Sequence, residues 1–135
     1  ARGYPGAKRF PEMYGWIDAD ETGVIQSVSV KESLSDPSID PIIVGTFTFK
    51  RLGDFLKSVD YMKKRGALVN GEFYVDTAIN DAIALGLKCV VFEIDSYICW
   101  GTPNDLRTFE YWQSCFNEWD NHPYNLKLDL NIKTL

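Results

Sequence analysis

Tyr14-Gly15-Trp16-Ile17-Asp18-Ala19-Asp20-Glu21-Thr22-Gly23-Val24-Ile25-Gln26-Ser27-Val28-Ser29-Val30-Lys31 is the stretch whose reading decides the fold. Successive side chains of an extended chain point to opposite faces, so Val28 and Val30 share one face and Ser27 and Ser29 the other. Residues 14–19 and 24–30 therefore read as strands. Asp20-Glu21-Thr22-Gly23 between them is turn chemistry, and the spacing predicts a hairpin. The same residues nearly spell a calcium loop from Asp18 to Ile25, with acids at the first and third places, glycine at the sixth and an apolar eighth. Ser29 stands at the twelfth place, where a bidentate glutamate must complete the oxygen shell, and the flanks are strand-like rather than helical. The turn is the preferred reading.

Outward from the hairpin, 32–41 carries Ser, Asp and two prolines and reads as a loop. Ile42-Ile43-Val44-Gly45-Thr46-Phe47-Thr48-Phe49 is β-branched and aromatic without a helical period, which predicts a well-buried strand. The period changes at Leu52: Leu52, Phe55, Leu56, Val59 and Met62 recur at helical spacing, Asp54 suits the first turn, and Gly66 supplies a stop. A second helix is predicted over 73–85, with Val75, Ile79, Ala82 and Ile83 on one face and Gly86 beyond its end. Residues 88–94 return to strand. Thr102, Pro103 and Asp105 have the spacing of a capped helix start, and Leu106, Phe109, Trp112, Phe116 and Trp119 form a stripe that ends at Asn121-His122-Pro123. The expected fold class is α/β, a mixed sheet with packed helices in one domain over 1–135, with an opening loop over 1–13 and a polar tail over 120–135.

Composition bounds the function. The 135 residues are 45% hydrophobic and 14% aromatic, enough apolar material for one core. A net charge of -5 opposes a nucleic-acid role, because neutralising phosphates needs a clustered cationic face. The one basic run, Lys63-Lys64-Arg65, reads as a solvated helix end. Three cysteines, Cys89, Cys99 and Cys115, show no CxxC spacing, and a reduced, cytoplasmic setting is expected. No apolar run approaches the roughly 20 residues that span a bilayer, so no membrane role is expected. His122 is the only histidine, which leaves histidine metal cages and Ser/His or Cys/His pairs at most one imidazole. Cys99, without a visible activating base, reads as a structural thiol. No metal ligand and no catalytic residue is assigned.

Two places suit ligand contact instead. In Asn70-Gly71-Glu72-Phe73-Tyr74-Val75-Asp76-Thr77, Glu72 enters just before an amphipathic helix and Asp76 follows four residues later. The acids could complement the helix N-terminus, or accept hydrogen bonds from ligand hydroxyls or a ligand amine. Lys31 follows a strand and precedes a loop, where an ammonium can reach an anion.

Taken in order, the segments over about 14–112 resemble the C-terminal, acceptor-binding part of the sugar-phosphate nucleotidyltransferase family, the C-terminal half of a Rossmann-like fold. The family's lysine after a strand resembles Val28-Ser29-Val30-Lys31. Its buried strand with a central glycine resembles Ile43-Val44-Gly45-Thr46-Phe47. Its glycine-glutamate before a helix resembles Asn70-Gly71-Glu72-Phe73-Tyr74, and its closing turn resembles Cys99-Trp100-Gly101-Thr102-Pro103. That last variant is most like bacterial capsule or surface-glycan relatives, including ones whose acceptor is not a sugar.

The resemblance implies that Lys31 binds the acceptor's phosphate, Glu72 its polar groups, and that Gly45 lets the ligand approach the backbone. In the complete enzyme a phosphorylated acceptor and a nucleoside triphosphate would be the substrates, Mg²⁺ the cofactor and pyrophosphate the leaving product. Two departures imply that this chain alone does not turn over. Cys99 stands where the family carries a metal-binding aspartate, and the family's glycine-rich nucleotide loop and first metal-binding aspartate lie upstream of the matched segments. The chain, which opens on Ala1 as if in the middle of something, is accordingly expected to be part of a longer enzyme and to need no cofactor of its own. The alternatives are a self-standing, non-catalytic α/β module that binds a ligand, and a subunit-interaction domain; an uncovered sheet edge gives either a reason to dimerise.

Overall fold

The hairpin forms where the alternation places it. In the computed structural model, which describes residues 1–119, 122–125 and 128, β1 (Gly15–Ala19) pairs antiparallel with β2 (Ile25–Val30). Gly15 stands opposite Val30 and Ile17 opposite Val28, with an irregularity between Asp18 and Ala19. The turn is held by Asp20: its Oδ1 accepts from the Thr22 N–H at 2.8 Å, the Thr22 hydroxyl at 2.6 Å and the Val24 N–H at 3.1 Å. An aspartate that bonds its own backbone two residues on is a turn former. This is the turn preferred above over a calcium loop.

Two compact groups of residues make up the chain, 1–97 and 98–135. Within the first, the hairpin has a core on each face. Trp16, fully buried, packs with Ala7 and Ile42, and its Nε1–H donates to the Pro11 carbonyl at 3.0 Å. Ile17 points the other way and joins Ile25, Val28, Val30 and Ile79. Residues 1–13 are not the expected loop throughout. Pro5–Arg9 forms a short helix, α1, and Pro11–Met13 a 3-10 turn, each started by a proline whose fixed φ suits a first helical position. Ala7 of α1 closes over Trp16.

The strands expected over 42–49 and 88–94 are reduced to single bridges. Ile42 bridges Trp16, where Ile17 N–H donates to the Pro41 carbonyl at 3.0 Å and Ile43 N–H to the Gly15 carbonyl at 2.8 Å. Val90 bridges Val24 through Ile25 N–H to Cys89 O at 2.9 Å and Val91 N–H to Gly23 O at 2.8 Å. The order is thus 41–43, β1, β2, 89–91. Every pairing among the described residues is antiparallel, where a mixed sheet was expected. The shortening has local causes. Gly45, at φ 83°, turns the chain two residues after Ile43. On the other edge, Asn80 occupies the backbone of Val28: its Oδ1 accepts from the Val28 N–H and its Nδ2–H donates to the Val28 carbonyl, both at 2.7 Å. Those bonds close the β2 edge to residues before Cys89, whereas past Val91, which bonds Gly23, the antiparallel register runs onto the Asp20–Gly23 turn, where no strand is left to pair with, and Phe92 stays 89% exposed.

Helix α2 (Leu52–Lys64) and helix α3 (Val75–Ala84) pack together, and α3 lies against β2. The helix expected over 73–85 starts later, at Val75, which is itself exposed. On α2 the buried residues are Ser58 and Met62, while Leu52 and Leu56 of the predicted stripe are exposed. Small and polar residues are buried on both helices: Ser58 on α2, its hydroxyl donating to the Asp54 carbonyl at 2.8 Å, and Thr77, Ala78, Asp81 and Ala82 on α3. Arg65, at the end of α2, closes the pair by a two-point bond to the buried Asp81 carboxylate, Nε to Oδ1 at 2.5 Å and Nη2 to Oδ2 at 3.1 Å.

In the second group, α4 (Pro103–Glu118) begins as the sequence predicts. Thr102 Oγ1 accepts from Asp105 N–H at 3.2 Å, and the Asp105 carboxylate takes the Thr102 N–H at 3.0 Å. The stripe expected to be buried is not: Leu106, Trp112 and Trp119 are exposed, and no residue of α4 is buried. Its rings stack on one another instead, with Trp112–Phe116 centroids 5.9 Å apart and Phe116–His122 4.5 Å. Asn121, in the predicted stop, and most of the tail lie outside the described residues. Among those described, no helix is long and apolar enough to cross a membrane.

Candidate functional site

Lys31 is the residue at which β2 ends. Its N–H still donates to the Tyr14 carbonyl at 2.9 Å, continuing the ladder by one bond, but its φ is 64°. The left-handed region is unfavourable for a residue with a Cβ, so the chain leaves the sheet here at a cost in backbone energy. The long side chain is directed to the start of α3. Its Nζ lies 4.9 Å from the centroid of the Tyr74 ring, within the range of a cation–π contact.

Tyr74 in turn donates its phenol hydrogen to Glu72 Oε2 at 2.6 Å. Glu72 is positioned by a tight turn: Val69 and Glu72 exchange backbone bonds of 2.9 and 3.0 Å around Asn70 and Gly71, whose φ values are 50° and 81°. Asn-Gly is the residue pair that such a two-residue turn requires, because both central residues must adopt positive φ. A cation, a ring and a carboxylate are thereby brought into one chain of contacts. The Tyr74 phenol and, less strongly, the Glu72 carboxylate hold the Lys31 ammonium above its usual pKa.

The structure joins two of the three residues singled out in the sequence, Lys31 and Glu72, and adds Tyr74 between them. The Asn70-Gly71 pair was a legible signal for the turn. Nothing in the sequence marked Tyr74 as the partner of Lys31. Gly45 stands outside this chain of contacts. It is exposed, and a Cβ there would meet nothing within 4 Å, so glycine serves the positive φ of the turn rather than close packing. It does follow Ile43 by two residues, and Ile43 is bonded to Gly15 at the end of β1 beside Lys31.

Asp76 belongs to the same end of the sheet. A Cβ built on Gly15 would fall 2.3 Å from Asp76 Oδ2, so the carboxylate rests directly on the strand backbone. Burial there pushes the Asp76 carboxyl above the usual aspartate range.

Other chemistry-bearing groups are already engaged. Cys89 is half-buried beside the Ile25 cluster, and burial pushes its thiol up. Cys99 Sγ accepts from Gly101 N–H at 3.3 Å, and His122 Nδ1 accepts from Tyr124 N–H at 3.1 Å. A cleft of about 340 Å³ beside β1 is lined by Arg2, Asp18 and Asp40 among others. Its Arg2 is paired with Glu93 at 2.6 Å, and Asp40 accepts from the N–H groups of Ser35 and Asp36 at 2.8 Å. Among the described residues no three His, Cys, Asp or Glu side chains converge as a metal group.

Comparison with known proteins yields no match: no family model, no curated protein and no solved structure is similar to this chain.

Proposed function

We propose that the Lys31–Tyr74–Glu72 cluster is the acceptor-binding part of a nucleotidyltransferase, which seats a phosphorylated small molecule such as a sugar phosphate. The observation that supports this most is the convergence itself. An ammonium at the end of β2 and a carboxylate before α3, far apart in the chain, meet on one tyrosine. Lys31 offers a point charge for a phosphate, Glu72 an acceptor for ligand hydroxyl or amine groups, and Tyr74 holds the two apart at a set spacing.

In the complete reaction the acceptor phosphate would attack the α-phosphorus of a nucleoside triphosphate in line and release pyrophosphate. Such catalysis is mainly positioning and electrostatics. Mg²⁺ would supply charge neutralisation there, but the turn at Cys99 does not fit it. A thiol is a poor ligand for a hard cation. The role assigned to this chain is therefore to bind and orient the acceptor, with no turnover by itself; the finer expectation of a Rossmann-like half stands as part of the same reading.

Titration of sugar phosphates and other phosphorylated metabolites against wild type and Lys31→Ala, followed by calorimetry, tests it. The expected result is a loss of at least about tenfold in affinity, equivalent to roughly 1.4 kcal/mol. Equal binding by both proteins removes Lys31 from the site. Pyrophosphate release by the purified chain with any nucleoside triphosphate and acceptor would overturn the inactive assignment.

A further inference from the structure

Gly15 and Asp76 form a contact that neither strand nor helix needs. Gly15 is buried in the first position of β1, opposite Val30, with Lys31 bonded to its neighbour Tyr14. Any side chain at 15 would collide with the Asp76 carboxylate and with Ile43 Cδ1, which lies 3.1 Å from the same point. Glycine weakens a strand interior, and its presence often marks a place where another group approaches the backbone closely. The group here is a carboxylate, half-buried on the second residue of α3.

An acid in the first turn complements the helix dipole equally well while solvated. Resting it on a strand glycine adds desolvation, offset only by the backbone N–H of Asp76 itself: among the described residues no other side chain donates a hydrogen bond to it. It lies two residues beyond Tyr74, the residue that carries Lys31 over its ring. The carboxylate is thus held, with no side-chain donor on it among the described residues, at the end of the sheet where Lys31, Tyr74 and Glu72 converge.

We propose that Asp76, seated on Gly15, is a second carboxylate of the ligand site and accepts a hydrogen bond from a hydroxyl or ammonium group of the molecule whose phosphate Lys31 takes. This rests on the acceptor-site reading. Glu72 and Asp76 then divide the work by exposure. Glu72, solvated and tied to Tyr74, sets the rim, whereas Asp76, half-buried, reads the part of the ligand nearest the sheet. A partly desolvated carboxylate discriminates strongly, because a ligand lacking the donor leaves it unpaired.

The test uses the full chain and three probes: glucose 1-phosphate, which offers hydroxyl donors; phosphoethanolamine, which offers an ammonium; and methyl phosphate, which offers neither. Wild type, Asp76→Asn, Gly15→Ala and Lys31→Ala are titrated with each, with thermal unfolding recorded in parallel. Asp76→Asn is expected to weaken whichever of the first two probes binds by about tenfold and to leave methyl phosphate unchanged. The probe that loses affinity identifies the donor. Gly15→Ala, by displacing the carboxylate, should reproduce that pattern, and Asp76→Asn serves alone if Gly15→Ala does not fold. Lys31→Ala should weaken all three. If Asp76→Asn changes unfolding but no affinity, or weakens all three probes alike, Asp76 is structural and the proposal is overturned while the Lys31 site stands. If Lys31→Ala changes nothing, or no probe binds, the acceptor-site reading falls and this proposal with it.

Discussion

Lys31 occupies the left-handed region at φ 64° with a side chain that gains nothing from being there except its place over Tyr74. Glycine takes that conformation without steric cost but also loses more freedom on folding. Lys31→Gly should therefore leave stability unchanged or raise it by up to about 1 kcal/mol, while ligand affinity falls as in Lys31→Ala. Urea unfolding beside the titration checks both halves, and a clear loss of stability would show that Lys31 is held for structural reasons. At this scale the sequence supplies residue types and their places at the ends of elements. Lys31 after a strand and Glu72 before a helix are visible as residue types at element ends. Their meeting on Tyr74 was not legible, because it depends on how the end of β2 is placed against the start of α3. Gly45 differs from both: its positive φ serves a turn, and it lies outside the Lys31–Tyr74–Glu72 chain of contacts.

Among the elements, the hairpin and the start of α4 were readable because each is decided within a few residues. Asp20 bonds its own turn, and Thr102 and Asp105 cap each other. The flanking strands were overestimated. An apolar, β-branched run states that a segment will be extended, not that a neighbouring edge is free to pair with it. Past Val91 the neighbour is the hairpin turn rather than a strand, and in the other direction the edge at Val28 is taken by Asn80, whose amide imitates a peptide group of a missing strand. Asn80→Ala would leave one buried donor and one acceptor on Val28 without partners, at a cost of about 2–4 kcal/mol. The expected signature is faster amide exchange at Val28 together with a lower denaturation midpoint. Unchanged exchange at Val28 would mean that water or another strand replaces the amide. The rotation of α2 was misjudged for a related reason. Leu52 and Leu56 are apolar but exposed, whereas Ser58 is buried, its hydroxyl bonded to the Asp54 carbonyl, on a helix that packs against α3. A hydrophobic period cannot report the volume of the surface opposite.

For the whole molecule, charge is the property that needs no structure. A net charge of -5 over 135 residues opposes binding to a phosphate backbone, and the one basic run, Lys63-Lys64-Arg65, has Lys64 paired with Asp60 at 2.6 Å and Arg65 with Asp81. The chain should elute in the flow-through of a heparin column at about 0.15 M salt; retention there would contradict this reading of its surface. By itself the sequence determined the hairpin turn, the capped start of α4 and the residue types at the candidate site. These follow from interactions between neighbours in the chain. Only the tertiary structure decided that the sheet is antiparallel and short, that α2 buries a serine, and that Asp76 rests on Gly15 beside the Lys31–Tyr74–Glu72 cluster. Each of those depends on the shape and free hydrogen bonds of a surface dozens of residues away, which no local pattern encodes.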